Sequence, residues 1–369
     1  MPGRSLLVIA GILFSSICVV SGTARAQGEA PQTVNTKLEV RLAGSNLGVT
    51  MKEIVASADS PVWVGYGVAS VPEEQGECCG NYRERVNGQS NGVWHLEKEH
   101  GNGVGSPRNK NDVKLEGGKE LWILYRADKS HIERIRMMSD ECQLDAGGLR
   151  LIWLKGVKSE ESVGFLSGFV QGRGISGGDE NRIGEQALTA IAQHADGAAD
   201  KALEGFSSPG QPEGLRKRAS FWMGAARGAA GLAQLEKMAK TDPSSDVRAQ
   251  VSFALFVSKE PGATEEMIRM AREDGSPQVR GQALFWLAQK AGAKAENAIA
   301  GAITNDPDTE VKKKAVFALS QMPKDEGVPK LIEVAEKNKN AEVRKQAMFW
   351  LGQSEDPRAL AFFERVLRN

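Results

Sequence analysis

The sequence predicts an α+β protein in two domains: a small antiparallel β domain toward the N-terminus, then an all-α solenoid. The solenoid is expected to be an α-α superhelix of about six 32-residue hairpins. Three observations carry this prediction. Short apolar runs with strand periodicity fill residues 32–155, a glycine-rich stretch follows, and beyond it one pattern recurs at a fixed spacing to the end of the chain. The expected divisions are 1–26, a leader; 27–157, the β-rich domain; 158–178, a short helix and Gly-rich linker; and 179–369, the solenoid.

In the β-rich part, Lys37 to Leu42 alternates polar and apolar residues, and Val62 to Val68 is an apolar, β-branched and aromatic run. Val93 to Leu96, Glu120 to Tyr125, His131 to Met137 and Leu149 to Leu154 are further strand candidates. Turn formers separate them, including Asn87-Gly88 and Asn91-Gly92. Met51 to Ala56 reads as one short helix, and Ser159 to Val170 as another that is amphipathic. Gly172, Gly174, Gly177 and Gly178 then mark the linker.

Beyond the linker, Ile183, Leu215, Val247, Val279, Val311 and Val343 stand 32 residues apart. Self-similarity at this period is the mark of stacked supersecondary units. Ser244, Ser276, Asp308 and Asn340 precede the last four valines by three residues, where their side chains can cap the first turn of a helix A. Val279, Ala283, Trp286 and Leu287 lie on one stripe of that helix. A second stripe, on a helix B, runs through Leu203, Leu235, Met267, Ile299, Leu331 and Phe363. Neither stripe is buried by a single hairpin, so the hairpins must stack. The repeat core is expected to hold Val247, Val279, Val311 and Val343 with Phe285, Trp286, Phe349 and Trp350, and the B helices to line the concave side.

The pattern V-R-x-x-A-x-x-x-L followed by D-P-x-A, best seen from Val343 to Phe363 with Asp356-Pro357-Arg358-Ala359, resembles the HEAT-like repeats of phycobilin lyases and of many bacterial scaffold proteins. The resemblance covers about residues 179–369. It implies a bacterial HEAT-repeat protein whose stacked surface binds another protein. It also implies that Arg216, Arg248, Arg280, Lys312 and Arg344, with acidic neighbours such as Asp246, Glu310 and Glu342, form a ladder between repeats. The other reading of the ladder is a binding face for an acidic partner.

The N-terminus reads as a secretory signal peptide. Arg4 precedes an uncharged apolar run from Leu6 to Val20, and Ala24-Arg25-Ala26 fits cleavage after Ala26. The run is short for a bilayer span and no later segment is long enough, so no membrane span is expected once the leader is removed. Export to the periplasm or beyond permits a disulfide. Cys142 with Cys78 or Cys79 is the expected bridge, which would contribute about 4 kcal/mol in the chain-entropy description. A metal site formed by these three cysteines with His95, His100 or His131 is the alternative.

The 47 basic and 47 acidic residues balance, which gives no electrostatic case for nucleic acid. No nucleophile elbow, zinc-protease helix or phosphate loop occurs, so no catalytic residues and no cofactor are assigned. His194, at a helix end, is expected to be a surface or capping residue. Phe221, Phe253, Phe285, Phe317 and Phe349 recur beside alternating Trp222, Ala254, Trp286, Ala318 and Trp350. Large–small packing between A helices is expected, and an exposed strip for peptides or glycans is the alternative. Phe362 and Trp350 are expected to leave an apolar C-terminal edge for a partner or for self-association. The function expected is a non-catalytic protein-binding scaffold. The alternatives are an enzyme, lyase-like or using the cysteines, and a carbohydrate or cell-wall binder using Trp63, Tyr66 or Trp94 of the β domain.

Overall fold

The structure, a computed structural model, describes residues 28–71, 85–86, 89–90, 93–98, 120–140, 143–172, 180–290 and 293–368. The leader, Cys78, Cys79, Cys142, His100 and most of the glycine-rich linker lie outside the described residues.

The first part is built on a five-stranded sheet. Its strands are β2 (Lys37–Leu42), β3 (Val62–Ala69), β7 (Glu120–Asp128), β8 (His131–Ser139) and β10 (Arg150–Lys155), in the order β2-β10-β3-β7-β8. A three-stranded sheet, β1 (Thr33–Val34), β9 (Gln143–Asp145) and β6 (Val93–His95), and a short hairpin, β4 (Arg85–Val86) with β5 (Gln89–Ser90), complete the β structure. Purely antiparallel pairing was expected, but the larger sheet is mixed: β10 runs parallel to both β2 and β3, whereas β3, β7 and β8 are antiparallel. The parallel pairs join strands far apart in sequence, which strand periodicity does not reveal. The β7–β8 hairpin turns on Lys129 and Ser130, both at positive φ, the geometry that matches strand twist.

Alternation along β3 sends Val62, Val64, Tyr66 and Val68 to one face of the sheet and Trp63 to the other. On the Trp63 face Gly65 and Gly67 leave room for the indoles of Trp153 and Trp122. A Cβ at Gly65 would stand 3.1 Å from the Trp153 ring, and one at Gly67 3.2 Å from Trp122. The opposite face is covered by α1 (Leu47–Ala56), whose Asn46 side chain accepts from the Val49 amide, and by α2 (Ser159–Val170).

Twelve helices then form six hairpins. The A helices are α3 (Glu180–Gln193), α5 (Glu213–Ala226), α7 (Ser245–Val257), α9 (Pro277–Lys290), α11 (Thr309–Ser320) and α13 (Ala341–Gly352). The B helices are α4 (Gly197–Phe206), α6 (Gly228–Thr241), α8 (Gly262–Glu273), α10 (Ala293–Asn305), α12 (Lys324–Lys337) and α14 (Pro357–Arg368). Ser244, Asp308 and Asn340 accept from first-turn amides of α7, α11 and α13. Val247, Val279, Val311 and Val343 are fully buried.

Consecutive A helices pack more closely than consecutive B helices. Gly224 marks one such approach, since a Cβ there would collide with the Ala254 backbone of α7. The A helices therefore form the more tightly packed side of the stack. One hydrophobic core runs without a break from the α1–α2 face of the sheet through the solenoid to Phe362. α2 sits against α3 and α4, in the place a preceding B helix would take.

Candidate functional site

Arg216, Arg248 and Arg280 each make a two-point contact with an aspartate 26 residues on. Arg216 reaches Asp242 at 2.9 and 3.1 Å, Arg248 reaches Asp274 at 2.8 and 3.0 Å, and Arg280 reaches Asp306 at 2.7 and 3.0 Å. These aspartates close the B helix of the same hairpin. The third guanidinium nitrogen, Nη1, reaches back to the preceding repeat, from Arg248 to the Asp242 carbonyl (2.8 Å) and from Arg280 to the Asp274 carbonyl (2.9 Å). The same carboxylates accept the Ser244, Ser276 and Asp308 amides at the start of the next A helix.

The acid partners are therefore the turn aspartates. Of the neighbours expected, Asp246 approaches Lys217 at 3.7 Å and accepts from Gln278, and Glu310 pairs with Lys313. Lys312 and Arg344 bond only carbonyls, Thr304 for the first and Asn338 and Lys339 for the second. The position 26 residues after Lys312 is Asn338, so that rung lacks a carboxylate. Burial pushes the Asp274 carboxyl up, but the Arg248 guanidinium and the Ser276 amide outweigh it and leave the group below its ordinary range. With side chains at most 17% exposed, these pairs hold the stack and offer little to a ligand.

The aromatic columns meet on the A-helix side. Trp222 lies 5.2 Å from Phe221, and Phe221 stacks on Phe253 at 6.0 Å. Phe253 meets Trp286 at 4.7 Å, and Trp286 meets Phe285 at 4.8 Å. Phe285 stacks on Phe317 at 6.0 Å, Phe317 meets Trp350 at 4.9 Å, and Trp350 meets Phe349 at 5.0 Å. Phe256 adds a ring stacked on Trp286 at 5.0 Å.

The alternation explains the order. Where a repeat carries Ala254 or Ala318, its phenylalanine stacks directly on the previous one; where it carries Trp286 or Trp350, the indole wedges between. Such pairs contribute about 0.5–1.5 kcal/mol each beyond their burial. The ribbon is both packing and surface, because these rings are only half-buried. Phe349, expected in the core, is 53% exposed; among the described residues no A helix follows α13 to cover it. Trp350 also borders a cleft of about 290 Å³ with Leu331, Met322 and Gln353.

Phe362 is not an exposed edge residue. It is 2% exposed, with Arg365 over its ring, on a helix that packs against α12 and α13. A B helix in a stack is covered on its flank as well as on its main stripe, which the single-stripe reading overlooked. Leu360 (63%) and Leu367 (85%) are the exposed leucines of α14.

His194 is fully buried, not a surface residue. Its Nδ1 lies 2.7 Å from the Ala190 carbonyl, which makes it the N–H donor, and its Nε2 accepts from the Ser162 hydroxyl at 2.9 Å. Ser162 meets Tyr66 at 2.8 Å, and Tyr66 meets Tyr125 at 2.7 Å. Burial holds the imidazole below its ordinary pKa and pushes the Tyr66 phenol up to about 12. Arg227 seals the same corner, donating to the Ala192 and His194 carbonyls and pairing with Asp200 at 2.7 Å. A serine–histidine pair sealed this way has no room for a substrate; it ties the sheet to the first hairpin.

Trp63 and Tyr66 are buried, so of the three expected carbohydrate-binding aromatics only Trp94 is partly exposed. His95 pairs with Asp145 at 2.7 Å. Among the described residues no group of three or more His, Cys, Asp or Glu side chains is placed to hold a metal, and no helix is long and apolar enough to cross a membrane.

A family model described as HEAT repeats matches residues 264–347 and 297–369. No curated protein matches. Among solved structures, the chain is similar to the complex of CpcE and CpcF of phycocyanin lyase from Nostoc sp. PCC7120. The identity is 23% over 43% of this chain and 100% of that one, with a TM-score of 0.32. It is also similar to human deoxyhypusine hydroxylase in complex with glycerol, at 18% identity over 56% of this chain and 90% of that one, TM-score 0.24. A third similar structure is Kap95p bound to RanGDP, at 16% identity over 52% and 29% of the two chains, TM-score 0.31. With six stacked hairpins and this family match over residues 264–369, the helical part is a HEAT-like solenoid.

Proposed function

We propose that this protein is an exported, non-catalytic scaffold that binds an extended segment of a protein partner along the aromatic face of its A helices. The observation that carries the proposal is the unbroken ribbon of half-buried rings from Trp222 to Phe349. Aromatic side chains lose little rotamer freedom on contact and are enriched at the energetic centre of protein interfaces. A solenoid presents such a surface over many repeats. Lys217, Arg218, Lys313, Lys314 and Lys345 border the rings, interleaved with Glu185, Asp246 and Glu310. This mixed margin favours a partner of mixed charge over a polyanion. Export rests on the leader pattern from Arg4 to Ala26.

The test places a photo-crosslinking phenylalanine analogue at Phe253, Phe285 or Phe317, and at Lys237 or Glu333 on the B helices, in the native host. Partner adducts from the A-helix positions alone are expected. Adducts only from the B helices, or none from either set, would overturn the assignment of the face. N-terminal sequencing of the mature protein should begin at Gln27; a retained Met1 would refute export by this leader.

A further inference from the structure

Strand β2 is the outermost strand of the five-stranded sheet. It pairs with β10 on one side, and among the described residues no strand pairs with its other side. The Lys37 amide donates to the Leu149 carbonyl (3.1 Å) and the Ala43 amide to the Lys155 carbonyl (2.8 Å). The odd-numbered residues therefore turn their backbone groups inward, and Leu38, Val40 and Leu42 turn theirs outward. The same three residues carry exposed apolar side chains, at 38%, 46% and 82%. Sheets seldom leave an apolar edge of this length uncovered.

We propose that β2 is a self-association edge, on which two copies of this chain pair antiparallel about a two-fold axis through Val40. A two-fold interface must be self-complementary, and this strand is so about Val40. With Val40 opposite Val40 of the second copy, Leu38 faces the second copy's Leu42 and Leu42 its Leu38. Each of these pairs consists of residues with outward backbone groups, so each exchanges both of its N–H···O bonds. On the opposite face of the ribbon Glu39 falls opposite the second copy's Arg41, and Arg41 opposite its Glu39.

Moving the axis to residue 39 sets Glu39 against Glu39 and Lys37 against Arg41. Moving it to residue 41 sets Arg41 against Arg41. Parallel in-register pairing sets every charge against its like. The backbone allows these antiparallel registers alike, and among them only the axis through Val40 joins opposite charges and sets Leu38 against Leu42. Glu39 and Arg41 already touch within the chain, at 2.6 Å, with Arg150 3.9 Å from Glu39. Pairing would extend these contacts into a cluster of alternating sign across the axis.

A second copy is the occupant argued for because the complementarity is internal to the strand. The A helices take no part, so this inference stands apart from the binding face described above. The test is sedimentation of the mature chain over a concentration series, with circular dichroism to confirm folding of each variant. A dimer is expected for the wild type. Glu39→Arg and Arg41→Glu, each alone, should weaken it by about tenfold or more. The double variant E39R/R41E should recover it, since each charge again meets its opposite. A short thiol-reactive cross-linker should join two copies of Val40→Cys through residue 40 and should fail with Leu38→Cys alone, as peptide mapping would show. A monomer at every concentration, a dimer indifferent to E39R, no recovery in the double variant, or capture at this edge of a different protein's strand in place of a second copy would overturn the proposal.

Discussion

Replacing Arg280 with alanine tests the ladder at a well-enclosed rung. Its side chain is 8% exposed and that of Asp306 is 5% exposed. The guanidinium makes two bonds to the Asp306 carboxylate and one to the Asp274 carbonyl. After Arg280→Ala, Asp306 keeps only the Asp308 amide at 2.9 Å and becomes a buried, unpaired charge. Breaking a buried pair in this way costs about 3–5 kcal/mol. Arg344 provides the internal control, because it bonds only the Asn338 and Lys339 carbonyls. Arg344→Ala leaves no carboxylate stranded and should cost about 1 kcal/mol. The assay is urea unfolding followed by circular dichroism, with a second probe to check that the array unfolds as one unit. Removing both charges (R280A/D306A) should cost less than the sum of the single changes, because the stranded carboxylate is gone. If Arg280→Ala and Arg344→Ala differed by less than about 1 kcal/mol, the ladder would not be the support argued here.

Two further outcomes follow from close packing and from the sealed histidine. Gly224→Ala should cost about 1–3 kcal/mol, because the new methyl group meets the Ala254 backbone, which cannot swing aside; an unchanged urea midpoint would show that α5 and α7 are not in contact there. His194, with its pKa lowered chiefly by burial, stays neutral when folded but takes up a proton when unfolded below about pH 6.5. Its contribution is therefore present above that pH and is lost as the pH falls toward the folded value, at up to about 1.4 kcal/mol per pH unit. Stability measured from pH 7 to 5 should fall more steeply for the wild type than for His194→Asn, and equal slopes would refute the burial of a neutral imidazole.

The repeats were readable because every hairpin meets the same demands. Caps, the valine stripe and the phenylalanine positions recur at one spacing, and each copy checks the others. The arginines were readable for the same reason, but their partners were sought beside them in sequence, at Asp246, Glu310 and Glu342. The true partners, Asp242, Asp274 and Asp306, form a 32-residue comb of their own, so the signal was present. The exchange of Lys312 for arginine in the repeat where that comb carries Asn338 strengthens it. The positions of the five strands of the larger sheet were readable from alternation, but not their order. Parallel pairing of β10 with β2 and β3 depends on contacts more than eighty residues apart, and local patterns carry no trace of it. The Tyr125–Tyr66–Ser162–His194 chain was equally silent, because its members come from four different elements or turns and none lies in a motif.

That chain decides how the two parts of the molecule act on each other. A stack of repeats needs its first apolar face covered, and here α2 and the sheet cover it within one continuous core. Backbone bonds between Val71 and Gln193 (2.9 Å) and between Ala195 and Ala69 (2.9 Å) join the end of β3 to the first hairpin. Arg227 of the second hairpin then locks the α3–α4 turn. Sheet and solenoid are joined by buried polar contacts whose loss would strand donors and acceptors, so the direction of the β2 edge is set relative to the A-helix face. If two copies pair through β2, the two aromatic faces are held at one fixed separation instead of swinging on a linker. A partner with two binding segments at that separation would gain from the second contact without new chemistry, whereas one with different spacing would bind through a single face. Rigid coupling at the His194 corner is thus what would turn a dimer of scaffolds into a selector of spacing, and Tyr66→Phe or His194→Asn, by loosening that corner, should blunt the selection before either binding face is touched.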